Sequence, residues 1–245
     1  MGDIFFAILY QPLYNLLVVF YNLIPGGGLG LAIILLTVVV KALLLPLTFK
    51  SLKAQKELQE IQPRIAEIKE KFKDDKEVMA KELMAVYKNH NVNPFASCLP
   101  TIVQLIVFIA LYRVLRDGIT TVNGDILYGI VANPERMSHI FLGIDLAQIS
   151  IVLAVLAAVM QFFQARQMVA KRPPKAARTG SASLDEDMAA SMNKMTLIML
   201  PLMTLLIGVT TLQGGLTLYI LVSTVISFLL YHFFLGKKKG DAGGK

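Results

Sequence analysis

Tryptophan is absent, cysteine occurs once, and charged residues make up only 17% of the 245 positions. Each shortage excludes something. Without tryptophan, any aromatic belt at a membrane surface rests on tyrosine and phenylalanine. The lone Cys98 rules out internal disulfides and cysteine-only metal cages. No histidine or acid is spaced to activate it, so it reads as a packing residue near a span end. His90, His139 and His232 fall in no ligand spacing, which argues against a metal site. There is no Walker loop, no Gly-x-Ser-x-Gly and no pair of carboxylates inside an apolar block. Neither enzymatic chemistry nor a cofactor is expected.

Hydrophobic residues are plentiful instead. They fill 55% of the chain and gather into blocks separated by charged stretches. A hydrocarbon core of about 30 Å takes about 20 helical residues to cross, and the blocks approach that length. A soluble bundle would carry amphipathic stripes throughout. The composition therefore defines an all-α membrane protein. Its net charge of +7 lies almost wholly in 50–94, 166–194 and 237–245. Cytoplasmic loops carry excess Lys and Arg, so topology explains the charge without invoking nucleic acid.

Residues 4–24 are apolar, but Gln11, Asn15 and Asn22 share one helical face and Pro12 sits near the middle. That pattern favours a helix lying in the membrane interface over a sixth span. The glycines at 26–28 then break the chain, and the GxxxG spacing of Gly26 and Gly30 reads as part of that flexible break. Between 50 and 92, Leu58, Ile61, Ile65, Ile68 and Phe72 recur at spacings of 3, 4, 3 and 4. This is a coiled-coil seam. Lys73-Asp74-Asp75 marks a turn, after which Met79, Leu83 and Val86 resume the stripe. Asn93-Pro94 supplies a cap and a first-turn proline for the next span.

The expected organisation is an extracytoplasmic interfacial helix at 1–27, span one at 28–49 and a cytoplasmic helical hairpin at 50–94. Span two follows at 95–115, an external loop at 116–146, span three at 147–165 and a partly disordered cytoplasmic linker at 166–194. Spans four and five occupy 195–212 and 213–235, and 236–245 form a cytoplasmic tail. The N-terminus is then outside. No basic region follows Met1-Gly2-Asp3, so no cleavable secretory signal is expected.

Lys41 lies inside span one. A lysine at the centre of a span costs about 2.5–3.5 kcal/mol, and no Asp or Glu falls in any of the five blocks to pair with it. It must be hydrated or snorkel to the interface. The nine residues to Lys50 correspond to about 13 Å of helix, of which an extended side chain recovers about half. Gln104 lies at a similar depth in span two, and Thr37 one turn outward from Lys41 on the same face. Two readings stay open: a water-filled groove lined by Thr37, Lys41 and Gln104, or a snorkelling lysine.

The order of several short motifs resembles the YidC/Oxa membrane protein insertases. They are Gln11-Pro12-Leu13, Lys41-x4-Pro46-Leu47, Gln62-Pro63, Tyr87-Lys88 and Asn91-Val92-Asn93-Pro94-Phe95. Cys98-Leu99-Pro100 with Gln104, Phe108-x-Ala110-Leu111-Tyr112, Met199-Leu200-Pro201 and Gly215-Leu216-Thr217-Leu218-Tyr219 continue the series. The resemblance covers about residues 8–235. It implies a five-helix core around a hydrophilic groove open to the cytoplasm and the lipid and closed outward. It implies a groove base at Lys41, client contact at Thr37 and Tyr219, and a groove-lining Gln104. It also implies nascent membrane proteins as clients, the Sec translocon and ribosomes as partners, and the bacterial inner membrane as the location. The family's groove base is usually arginine; lysine here lacks the forked guanidinium. A small anion-binding transporter or channel and a passive assembly subunit are the alternatives.

Overall fold

The computed structural model describes residues 2–24, 28–90, 92–93, 99–118, 122–134, 136–169 and 195–236. Several expectations lie outside the described residues. These are the break at Gly26-Gly27, the proline half of the Asn93-Pro94 cap, the packing role of Cys98, the linker from residue 170 onward and the lysines at 237–239.

The chain opens with α1 (Gly2–Phe5), a π-helical turn at Phe6–Tyr10, and α2 (Gln11–Leu23). Proline lacks an N–H, and its ring presses on the carbonyl four residues back. The widened turn just ahead of Pro12 accommodates it without ending the helix. The same device recurs at Met195–Met199, immediately before Pro201. By length and composition Phe6–Leu23 suffices to cross a membrane.

Helix α3 runs unbroken from Gly28 to Glu60, through Pro46. Its 33 residues extend about 50 Å, well beyond a hydrocarbon core. The expected boundary at residue 49 is therefore no helix end. Residues 50–60 are strong helix formers, tied by i,i+4 pairs from Lys53 to Glu57 at 3.8 Å and Lys56 to Glu60 at 3.4 Å. Beyond Ile61, α4 (Gln62–Lys71) and α5 (Lys76–Asn89) form a helical hairpin. Asp75 caps α5 by accepting from the Glu77 and Val78 amides. Ile61, Ile65, Val86 and Val92 are buried between the arms, with Leu58, Ile68, Leu83 and Tyr87 against them. Most of the sequence seam is thus a small separate core; Phe72 and Met79, nearer the tip, stand outside it.

Helix α6 spans Leu99–Gly118, α7 Ile151–Val169, α8 Leu200–Thr210 and α9 Gly214–Gly236. Helix α9 packs on α7 and α3, α8 on α7, and α2 on α3. Small residues permit this closeness: Ala154, Ala157, Ala158 and Ala165 are buried along α7, and Gly208 of α8 faces Ala154. The outward faces are apolar. Leu31, Leu35, Val38 and Leu43 of α3 are exposed, as are Leu105, Ile106 and Ile109 of α6 and Leu202, Met203 and Leu206 of α8. Such continuous exposed apolar surface suits lipid rather than water. Gly28–Leu58 and Gly214–Phe233 are also long and apolar enough to cross a membrane, while Ile151–Gln167 and Leu197–Thr210 are shorter apolar stretches.

The external loop expected at 116–146 carries structure of its own, over residues 122–148. A 3₁₀ turn at Gly124–Ile126 precedes a two-stranded hairpin, β1 (Ile140–Phe141) and β2 (Ile144–Asp145), with Phe141 opposite Ile144. Leu142 and Gly143 connect them at φ of 49° and 79°, the left-handed pair that a tight two-residue turn demands. This segment seats on the starts of α3 and α9. The Leu29 amide donates to Ser138, and the Gly214 and Gly215 amides donate to Gln148 and Leu146. Gly28 has φ of +62°, and a side chain on Gly30 would collide with Phe141. Gly28 and Gly30 are thus a fitted seat, not a flexible break. The main core lies beneath, with Tyr14, Leu17, Leu29, Ile33, Leu111, Leu115, Leu146 and Leu216 wholly buried.

The polar face of α2 points into this segment. Gln11 and Asn15 donate to the Ile126 carbonyl at 3.2 and 3.0 Å, and Asn15 accepts from the Tyr128 amide at 2.7 Å. Asn22 donates to Ala132 at 2.7 Å. The stripe of Gln11, Asn15 and Asn22 is matched to a neighbouring backbone.

Candidate functional site

Lys41, Gln104 and Tyr219 come from α3, α6 and α9, far apart in sequence, and meet in one hydrogen-bonded chain. The Lys41 Nζ donates to Gln104 Oε1 at 3.1 Å and to Ser227 Oγ at 3.0 Å. Gln104 Nε2 donates in turn to the Tyr219 hydroxyl. An ammonium only donates, so the glutamine must turn its carbonyl oxygen to the lysine and its amide nitrogen to the tyrosine. Ser227 donates its proton to the Ser223 carbonyl at 2.8 Å. Tyr219 is buried, its ring 6.5 Å from that of Phe108, one turn along α6 from Gln104.

Thr37 stands apart from the chain. It is fully buried one turn from Lys41, and its hydroxyl donates to the Ile33 carbonyl of its own helix at 2.7 Å. Three of the four candidate residues are therefore joined directly, and the fourth lines the same helix. Ser223 and Ser227 were missed in the sequence. The signal was available: Tyr219, Ser223, Ser227 and Tyr231 follow one another at steps of four, one face of α9. The stripe continues toward the hairpin root, where the Tyr231 hydroxyl donates to Gln55 Oε1 at 3.3 Å and Gln55 Nε2 to Ser51 at 3.2 Å.

Hydration and snorkelling were the two ways foreseen for accommodating Lys41. The structure adds a third, in which neutral oxygens on two other helices take the charge. Among the described residues no carboxylate pairs with it, since the ion pairs lie in α3 beyond residue 50, in α5 and in the 122–148 segment. An ammonium has three N–H donors. Two are occupied here, and among the described residues no third acceptor reaches Nζ. The arrangement is a positive charge in an apolar bundle, steadied but not neutralised. At low dielectric it attracts a passing anion far more strongly than in water.

An apolar helical bundle with an unneutralised lysine shared by three of its helices defines a membrane-inserted protein built around a polar seam. Comparison with known proteins makes this specific. The sequence matches the 60Kd inner membrane protein family over residues 19–240. It is 32% identical over 211 residues to the membrane protein insertase YidC of Fusobacterium nucleatum, covering 86% of this chain and 88% of that one. It is 41% identical over 141 residues to the YidC of Pelobacter propionicus and 46% over 114 to that of Geotalea daltonii. Those matches cover 57% and 46% of this chain but only 26% and 21% of the relatives, so the chain spans about a quarter of their length or less. The chain belongs to the 60Kd inner membrane protein family, the YidC/Oxa insertases. These names leave the anion transporter or channel alternative without support.

Proposed function

We propose that this protein is a non-enzymatic membrane protein insertase and assembly chaperone. It moves client transmembrane segments, with short polar tails, from the cytoplasm into the bilayer. The observation that carries this reading is the Lys41 ammonium, held by Gln104 and Ser227 without a counter-carboxylate. An acidic or polar client tail faces a barrier of unsatisfied groups in hydrocarbon. A polar seam part-way across shortens the dry path, and the lysine attracts the tail's carboxylates. The client's apolar segment then partitions into lipid, at about 25 cal/mol per Å² of apolar surface removed from water. That transfer is downhill without nucleotide. Thr37, Gln104 and Tyr219 line the client's route beside Lys41.

In this reading five spans cross the bacterial inner membrane, with the N-terminus outside and the C-terminus cytoplasmic. The hairpin of α4 and α5 receives clients from the cytoplasm, beside the Sec translocon or alone, with ribosomes as further partners. The basic segments 50–94, 166–194 and 237–245 support that orientation. The seal formed by 122–148 then closes the outer end. Reconstitution tests the function: liposomes containing only this protein should integrate a small single-span client with an acidic tail. Small-anion flux without client integration would overturn the reading.

A further inference from the structure

The donors and acceptors around Lys41 are ordered in one direction. Ser227 gives its own proton to the Ser223 carbonyl at 2.8 Å, the back-bond common to helical serines. Toward Lys41 its oxygen therefore offers lone pairs only, at 3.0 Å. Gln104 likewise presents an oxygen, its nitrogen being engaged by Tyr219. The lysine thus bridges three helices through two acceptors that have nothing to donate back to it.

A lysine in an apolar helix has an alternative. Its flexible four-carbon stem lets the ammonium withdraw to the nearest water, here toward the charged stretch of α3 that begins at Lys50. Gln104 alone is a weak restraint, because its own side chain is long and rotatable. Ser227 is different: its oxygen is one bond from Cβ, and its rotamer is fixed by the back-bond to Ser223. It is the rigid arm of the pair.

We propose that Ser227 is a positioning residue for the Lys41 charge, anchoring the ammonium to α9 and leaving its third N–H for one carboxylate oxygen of an incoming client tail. This rests on the insertase reading of the site. A single remaining donor engages one acceptor, unlike the two-pronged grip of a guanidinium. The lysine form of the site therefore needs a neighbouring hydroxyl to set the direction of the charge. The i,i+4 run of Tyr219, Ser223 and Ser227 supplies one.

Two measurements on the full chain test this. In nanodiscs, a water-soluble amine-acylating ester should label Lys41 about tenfold faster in Ser227→Ala than in the wild type, the loss of one hydrogen bond to a charged group. Peptide mass spectrometry reads that rate at Lys41 specifically, and Ser227→Thr, which keeps the hydroxyl, should restore slow labelling. In proteoliposomes, Ser227→Ala should integrate a client with an aspartate in its tail about tenfold more slowly. The same client with asparagine there should be unaffected, and Ser227→Thr should behave as wild type. Equal Lys41 labelling in Ser227→Ala and wild type overturns the proposal. So does equal slowing of both clients, or identical behaviour of the Ala and Thr variants. If wild type integrates neither client while labelling still follows the hydroxyl, the anchoring stands and the insertase reading falls.

Discussion

At the end of the bundle capped by residues 122–148, asparagine, glutamine and tyrosine side chains of α2 bind backbone groups of a folded segment, Tyr14 and Tyr21 accepting from the Asn123 and Ser138 amides. About 20 Å along α3 from Gly28, a glutamine, a tyrosine and a lysine are joined through side chains, with Ser227 alone also bonding a backbone carbonyl of its own helix. The chemistry of the partners separates the two. A backbone carbonyl or amide of an ordered segment is fixed in place and cannot swing to a new partner, so losing a side-chain mate there leaves it under-satisfied. An oxygen on a side chain can be replaced by another oxygen, one helix at a time. The first arrangement holds a folded segment in place, and in the proposed function the second is the site that a client group enters.

Substitutions in the two regions should therefore fail in opposite ways. Asn15 is buried, and its loss strands the Tyr128 amide and leaves the Ile126 carbonyl with Gln11 alone. Asn15→Leu should cost about 3 kcal/mol of stability, seen as a large drop in thermal midpoint by circular dichroism in detergent. An unchanged midpoint would break the idea of a seal. Lys41→Leu should leave the midpoint equal or higher, because it removes a charge whose place in a span costs about 2.5–3.5 kcal/mol. Integration of an acidic-tailed client should nevertheless fall about tenfold or more, while Lys41→Arg keeps activity. Wild-type integration by Lys41→Leu would remove the charge from the mechanism.

The contrast also explains what the sequence could tell. Lys41 was legible because a charge in an apolar block has few excuses, and Gln104 because it matched Lys41 in depth. Thr37 followed from its place one turn from Lys41 on the same face, and Tyr219 came from the family resemblance. Ser227 was legible only as a member of the i,i+4 run from Tyr219, and its partner was not, since serine is unremarkable in a membrane helix until the helix facing it is known. The helical character of the blocks and the hairpin seam followed from local periodicity. The strands at 140–145 did not, because two-residue strands carry too little pattern. The partners of the α2 stripe were hidden for a related reason: polar residues on one face do not say whether water or a folded backbone meets them.

Between these extremes lies the seat of the seal. A methyl group on Gly30 would overlap the Phe141 side chain close to its backbone, where the ring has little freedom to swing. Gly30→Ala should cost about 1–3 kcal/mol, the usual penalty of overpacking. Combining it with Phe141→Ala should cost less than the two singles added, the signature of residues in contact. Strict additivity in thermal unfolding would place the strain elsewhere.

The smallest effect is expected where the polar stripe of α9 reaches the hairpin root. Tyr231 donates to Gln55 at 3.3 Å, and both side chains are only partly buried. Tyr231→Phe should lower stability by about 0.5–1 kcal/mol, because Gln55 keeps Ser51 and meets water easily. The consequence for the hairpin is the sharper question. Helix α3 continues unbroken to Glu60, so the stiffness of one helix already carries orientation from the bundle into the hairpin. If that stiffness suffices, Tyr231→Phe leaves hydrogen exchange of residues 50–60 nearly unchanged. If the side-chain tie sets the hairpin's angle, exchange there rises while the 122–148 seal stays protected. The continuity of α3 through Pro46 favours the first outcome, because one tie between two partly buried side chains is weak beside an intact backbone ladder.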